Sequence, residues 1–363
     1  MKHKSLYIFS LMLAACGGSY EDVAREESKA KAQKMGIVEM TKEQEADLLK
    51  QAQGIFAALP AIAENPSNDC SAPKVELGKM LYFDTRLSLT GNNSCNSCHN
   101  LATFGVDNEP TSVGDAGQRG GRNSPTTFNA ALHFLQFWDG RAKDVEEQAG
   151  MPILNPVEMA IPNKEYLVNK LKGVDLYNQS FKAAFPQDAD PLTYENIAKA
   201  IAAFERTLIT PSRFDDYLKG KTDALSVEEK HGLQTFVGAG CTSCHNGTAI
   251  GGAQIQKFGL INDYHALTGS STNDKGLQDQ TKNEADKDKF KVPSLRNIAQ
   301  TYPYFHDGSV KNLADAVRIM GKTQVNKDLS YDEVQSIVTF LNALTADVPA
   351  EVKEVPKQLT AQK

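Results

Sequence analysis

The chain has 363 residues, a formal net charge of -6 and 40% hydrophobic residues. That length holds two or more ordinary domains, and the apolar and charged fractions exclude a disordered or membrane-embedded chain. The acidic balance, with no long basic run, also excludes the cationic footprint that a nucleic-acid partner requires.

In chain order, Lys2 and Lys4 precede a mostly apolar stretch from Leu6 to Leu13 and the small residues Ala14 and Ala15, so residues 1–16 read as an export signal too short to span a bilayer. Leu13-Ala14-Ala15-Cys16 resembles the bacterial lipoprotein box, with a plain signal cut nearby as the alternative. Cys16 is thus a candidate lipid anchor, and Gly17 beside it resembles outer-membrane sorting; the expectation is a periplasmic protein tethered to the outer membrane. Residues 17–45 are charged and Ala-rich with little apolar periodicity, as in a flexible tether.

Beyond the tether the chain reads as a duplication. Val75 to Phe83 is a weakly marked helix ahead of Cys95-Asn96-Ser97-Cys98-His99. Thr193-Tyr194-Glu195 opens a helix carrying Ile197, Ile201, Phe204 and Leu208 on one face, and a Pro- and Gly-containing stretch after Thr210 marks a boundary. Ser226 and Glu229 form a capping box for a helix with Leu233, Phe236 and Val237, halted by Gly238 and Gly240, just before Cys241-Thr242-Ser243-Cys244-His245. Ser330-Tyr331-Asp332 then opens a closing helix whose Val334, Val338, Leu341 and Thr345 repeat the earlier spacing. The expected fold is all-α: two tandem cytochrome c-like helical domains with long loops, over 46–212 and 213–349, followed by a tail from 350 to 363.

Six cysteines in an exported chain suggest disulfides, but four of them stand two residues apart with a histidine directly after each pair. In CxxCH, two thiols add to the vinyl groups of a haem and the histidine ligates its iron. A zinc site would need further Cys or His ligands nearby, and neither pair has them. Cys70 has no evident partner and no assigned role. The sixth iron position then decides between electron carrier and catalyst. Met320, before the closing helix, is the candidate for the second haem, and Met/His ligation suits a high-potential, electron-accepting centre. For the first haem, His133 has the neighbours of an ordinary packed histidine, while Met151 and Met159 remain in principle; no strong ligand stands out, which favours an open iron.

From Val75 to Asp347 the chain resembles the bacterial di-haem cytochrome c peroxidases. Besides the two CxxCH sites, the resemblance is carried by Leu81-Tyr82-Phe83-Asp84, Gly121-Arg122-Asn123-Ser124-Pro125-Thr126, Gln136-Phe137-Trp138-Asp139-Gly140-Arg141, Pro156-Val157-Glu158-Met159, Pro293-Ser294-Leu295-Arg296-Asn297, Pro303-Tyr304-Phe305-His306-Asp307-Gly308 and Ile319-Met320-Gly321. It implies an enzyme that reduces hydrogen peroxide to water with electrons from a small c-type cytochrome or a cupredoxin. The haem on Cys95, Cys98 and His99 would be peroxidatic; that on Cys241, Cys244, His245 and Met320 would receive electrons. Glu158 would be the distal acid-base with Gln148 its neighbour, and Trp138 would lie between the haems. Asn123, Thr301 and Pro303 would hold calcium, the latter two through carbonyls, as a hard cation prefers. The resemblance also implies a homodimer. Arg141, Arg296 and His306 are expected either at haem propionates or interfaces, or in structural ion pairs.

One departure stands out. Many members carry, before the Gly-Arg-Asn segment, a histidine that closes the peroxidatic iron until the other haem is reduced; Asp115 stands there in this chain. Two rival readings remain: a relative that oxidises a partner protein, resembling the quinone-cofactor maturation enzymes, against which Met320 in place of tyrosine counts, and a purely electron-transferring cytochrome with both irons fully ligated.

Overall fold

The computed structural model describes residues 38–360, so the signal at 1–16, Cys16 and most of the expected tether lie outside the described residues. The capping signals act as the sequence leads one to expect. Thr193 accepts the Asn196 N–H and starts helix Tyr194–Glu205, while Ser330 and Glu333 form a reciprocal capping box at the start of Tyr331–Asn342. Both helices stop before the last residue of the predicted stripe, yet Leu208 remains buried beyond its helix. Ser226 and Glu229 cap Val227–Ala239, which runs through Gly238 and ends only at Gly240, whose φ of 90° is the left-handed turn that glycine adopts without strain.

Helix Ala72–Phe83 packs on Tyr194–Glu205, and Val227–Ala239 packs on Tyr331–Asn342. Each crossing is made over a glycine. A Cβ on Gly78 would lie 1.9 Å from the Ala200 carbonyl oxygen, and one on Gly232 would lie 2.1 Å from that of Ser336. The helices therefore meet backbone to backbone, in both halves, and the duplication is structural as well as sequential. Leu77, Leu81, Ile153, Ile197 and Phe204 centre the first core; Phe214, Leu233, Phe236, Ile337 and Phe340 centre the second. A smaller cluster of Phe258, Tyr264, Phe290, Tyr304 and Ile319 takes in the flanks of Trp138 and Met320.

Three features depart from the linear reading. Helix Lys42–Ile55 begins inside the expected tether, capped by Thr41 and Gln44, and its Leu48 and Ala52 join Phe56 in the second core rather than the first. Its apolar face, Leu48, Leu49, Ala52 and Ile55, is short and set among charged and polar neighbours, which hid it in the sequence. At the other end, Val348, Val352 and Leu359 pack against the first core, so the expected tail returns across the molecule. Two short strands, Ile255–Lys257 and Lys289–Lys291, pair antiparallel with Gln256 opposite Phe290, a minor addition to a mostly helical fold. No helix among the described residues is long and apolar enough to cross a membrane.

Candidate active site

The first CxxCH motif folds as a single turn, Cys95–Cys98, capped by Ser94 and Ser97, which brings both thiols to one side and sends His99 out at its end. His99 Nδ1 lies 2.9 Å from the Pro125 carbonyl oxygen. A carbonyl only accepts, so Nδ1 carries the proton and Nε2 presents its lone pair; burial also lowers the ring's pKa and keeps it neutral. That is the form of imidazole that ligates iron.

Cys95, Cys98 and His99 share a cavity of about 440 Å³ with Trp138, Gln148 and Glu158. Gln148 comes from helix Val145–Leu154, and Glu158 from the loop that follows, where Asn155 Nδ2 donates to its Oε1 at 2.7 Å. Burial raises the Glu158 pKa, against the opposing pull of Arg141 and Asn155. Arg141 is itself fixed, over the Phe137 ring and 2.9 Å from Asp139. Met159 lines the same cavity, whereas Met151 is exposed outside it.

Asp115 is 4% exposed and is not among the residues lining this cavity, although its neighbours Val113 and Gly114 are. Its carboxylate accepts the backbone N–H of Thr90 at 2.7 Å and of Asn92 at 3.1 Å. Burial alone would raise its pKa, but the bonds from Thr90, Ser88 and Asn92 hold it below the ordinary value. The Asp115 N–H donates to the Glu158 carbonyl, and a Cβ on Gly114 would lie 2.0 Å from that of Val157. The loop is thus docked on the segment that carries Glu158.

The second motif begins as a short 3-10 turn, Cys241–Ser243, and Cys241, Cys244, His245 and Met320 line one cavity with Phe258, Phe290 and Phe305. Met320 projects from helix Leu313–Val325, whose start is capped by Asn312. Burial lowers the His245 pKa to about 4, so this ring too is neutral. Its Nδ1 is buried without a hydrogen bond of standard geometry, although the Ile250 and Pro293 backbones lie against it. A Cβ on Gly251 would fall 2.3 Å from the Pro293 oxygen and 3.3 Å from Nδ1, so only glycine permits this approach. Paired thiols, a neutral imidazole and apolar walls suit a covalently held haem at both motifs.

Trp138 lines both cavities. Its Nε1 donates to the Asn123 carbonyl at 2.9 Å, and its own carbonyl accepts the Lys291 N–H at 2.7 Å. Asn123 Nδ2 donates to the Glu109 carbonyl, and Asn108 Nδ2 to the carbonyls of Gln300 and Tyr302. Segment 108–110 is thus bonded both to Asn123 and to the backbone on either side of Thr301. No group of three or more His, Cys, Asp or Glu among the described residues is arranged for a metal, so a cation here would rest on amide and carbonyl oxygens.

Of the three residues with open roles, Arg296 is committed to a buried ion pair with Asp215 at 2.8 and 3.0 Å and faces neither haem cavity. Arg141 and His306 line the first and second cavities respectively. Cys70 is a free, half-buried thiol. Sequence reasoning missed Glu205, which lines the first cavity with its pKa raised by burial to about 8. Its signal was present: it follows buried Ile201 by one helical turn.

A family model described as di-haem cytochrome c peroxidase matches residues 72–223. A cytochrome c551 peroxidase of Nitrosomonas europaea is 47% identical over 301 residues, covering 82% of this chain and 87% of that protein. One from Pseudomonas aeruginosa is 46% identical over 308 residues, covering 84% and 88%. Among solved structures, a MauG-like protein associated with microbial copper homeostasis superposes with a TM-score of 0.72 at 28% identity, covering 82% of this chain and 97% of that one. With nearly half the residues shared along most of both chains, and two thiol-thiol-imidazole cavities on either side of Trp138, the chain belongs to the di-haem cytochrome c peroxidases.

Proposed function

We propose that the protein reduces hydrogen peroxide to water in the cavity of Cys95, Cys98 and His99, with electrons that enter at Cys241, Cys244, His245 and Met320 from a small c-type cytochrome or cupredoxin. The observation that carries this reading is the asymmetry of the two cavities on either side of Trp138: the first is lined by the Glu158 carboxyl with Gln148 beside it, whereas the second is lined by Met320 and by no carboxyl group of the described residues. The haems supply the electron-transfer chemistry when bound. The remaining work falls to side chains. Each turnover takes two electrons and two protons and yields two waters, and breaking the O–O bond requires a proton taken from one oxygen and delivered to the other. Glu158, with its raised pKa and Asn155 fixing one oxygen, is a carboxyl suited to both transfers. Gln148 lines the same space and can hold peroxide without changing charge. Trp138, bonded at its indole N–H and its carbonyl, is a rigid aromatic wall between donor and acceptor sites.

Removing one thiol pair at a time tests the division of labour. Cys241→Ala/Cys244→Ala should retain one haem on a haem-stained gel and still consume peroxide with a small chemical reductant, while losing turnover supported by a protein donor. Cys95→Ala/Cys98→Ala should also retain one haem but lose peroxide consumption with either reductant. The opposite pattern would exchange the roles of the two sites.

Calcium is proposed at Asn123, Thr301 and Pro303, a neutral oxygen donor set of the kind a hard cation accepts. Because the Asn123 carbonyl receives the Trp138 N–H, cation loss should disturb the wall between the cavities. Chelation with EGTA should slow donor-supported turnover and lower the melting temperature, and added calcium should restore both; indifference to chelator would remove calcium from the site. The export signal and Cys16 support a periplasmic protein anchored through lipid.

A further inference from the structure

Lys291 is 5% exposed and lines the cavity of the second CxxCH motif. The one side-chain hydrogen-bond partner its ammonium has among the described residues is His133 Nδ1, at 3.2 Å. Among the described residues no carboxylate pairs with it, although the buried arginines have one: Arg296 has Asp215 and Arg206 has Glu146. His133 is built into place for this contact. A Cβ on Gly252 would lie 2.3 Å from its ring, so the imidazole occupies space that only glycine leaves, and its Nε2 is buried without a partner among the described residues. Burial, then the Lys291 charge, holds the ring well below its ordinary pKa, so Nδ1 can only accept from the ammonium. Burial lowers Lys291 to about 8, as expected of a cation short of an anion.

We propose that Lys291, held by His133, is the carboxylate-binding corner of the second haem cavity and receives a haem propionate. The inference rests on the haem reading of that cavity and adds to it a recognition residue that the CxxCH motif does not contain. A haem brings its own carboxylates, and a desolvated ammonium with donors to spare is their chemical complement. The Lys291 N–H also donates to the Trp138 carbonyl, so the residue that receives the propionate is pinned to the wall between the two cavities. A fixed cation lining the cavity would favour the ferrous over the ferric state of a haem held there, so that Lys291 would act with Met320 to keep the second haem easily reduced.

The test is a redox titration and a thermal melt of the holoprotein for wild type, Lys291→Met, Lys291→Arg, His133→Asn and His133→Leu, with haem content read by staining. Lys291→Met should lower the second haem's midpoint potential, leave the first haem's potential much less affected, and lower the melting temperature, because a buried propionate is left unpaired. Lys291→Arg, which keeps the charge, should stay near wild type. His133→Asn retains an acceptor for Nζ and should be mild, whereas His133→Leu should shift the potential in the direction of Lys291→Met. If Lys291→Met keeps both haems, leaves the second potential unchanged and raises the melting temperature, Lys291 is only an unpaired buried cation and the proposal is overturned. Absence of haem from the Cys241 site in the wild type would instead overturn the haem reading, and the propionate assignment with it.

Discussion

Replacing Glu158 with Gln should lower peroxidase turnover by about a hundredfold or more, the usual contribution of a general acid-base group, while both haems remain attached. The amide keeps the shape of the side chain and can still meet the Asn155 bond at its oxygen, but it cannot cycle a proton. The effect should fall on kcat rather than on haem content or folding. Burial raises the Glu158 pKa, so the wild-type pH profile should show a group titrating above the ordinary carboxylate range: its protonated form persists to higher pH than that of an exposed glutamate. That limb of the profile should disappear in Glu158→Gln. Wild-type kinetics in the variant would exclude Glu158 from the proton path.

Met320→His should depress the second haem's potential and starve the first site of electrons. Exchanging thioether for imidazole favours the ferric state, and axial ligands set haem potentials over a range of about 0.8 V. Since 59 mV is about tenfold in a one-electron equilibrium, even a modest fraction of that range should cut donor-supported turnover by about tenfold or more. Haem staining should be unchanged, because Cys241 and Cys244 are untouched. The exchange is local: Met320 projects from a helix whose capped start at Asn312 lies two turns away. An unaltered redox titration would show that Met320 is not a ligand.

What the sequence made legible was local. The CxxCH pairs, the capping residues Thr193, Ser226 and Ser330, and the repeated apolar spacing are read from neighbours within a few residues, and the helices form where they indicate. Residues whose partners lie far along the chain were not legible in the same way. Arg296 is bound by Asp215, Lys291 by His133, and Asp115 by Thr90 and Asn92; no spacing rule announces such pairs. Helix Lys42–Ile55 escaped notice because only Leu48 and Ala52 of its surface are buried, and what they pack against, Phe214 and its neighbours, is supplied by the other half of the chain. The roles of Glu158 and Trp138 came from resemblance alone at the sequence level. The fold adds that they line a common cavity and that Trp138 also lines the second.

Asp115 bears on how the first site is gated. An aspartate is a weak ligand for haem iron, and this one has its carboxylate engaged with the Thr90 and Asn92 backbone, in a loop docked against Val157 and Glu158. The most direct measurement is low-temperature EPR, with absorption spectra, of the fully oxidised protein before and after one equivalent of peroxide. A high-spin ferric signal from the haem on Cys95 and Cys98, which peroxide removes without any prior reduction, is the predicted result. A fully low-spin oxidised protein, with a lag in turnover abolished only by pre-reduction, would show that another residue closes the site and would contradict an open peroxidatic centre.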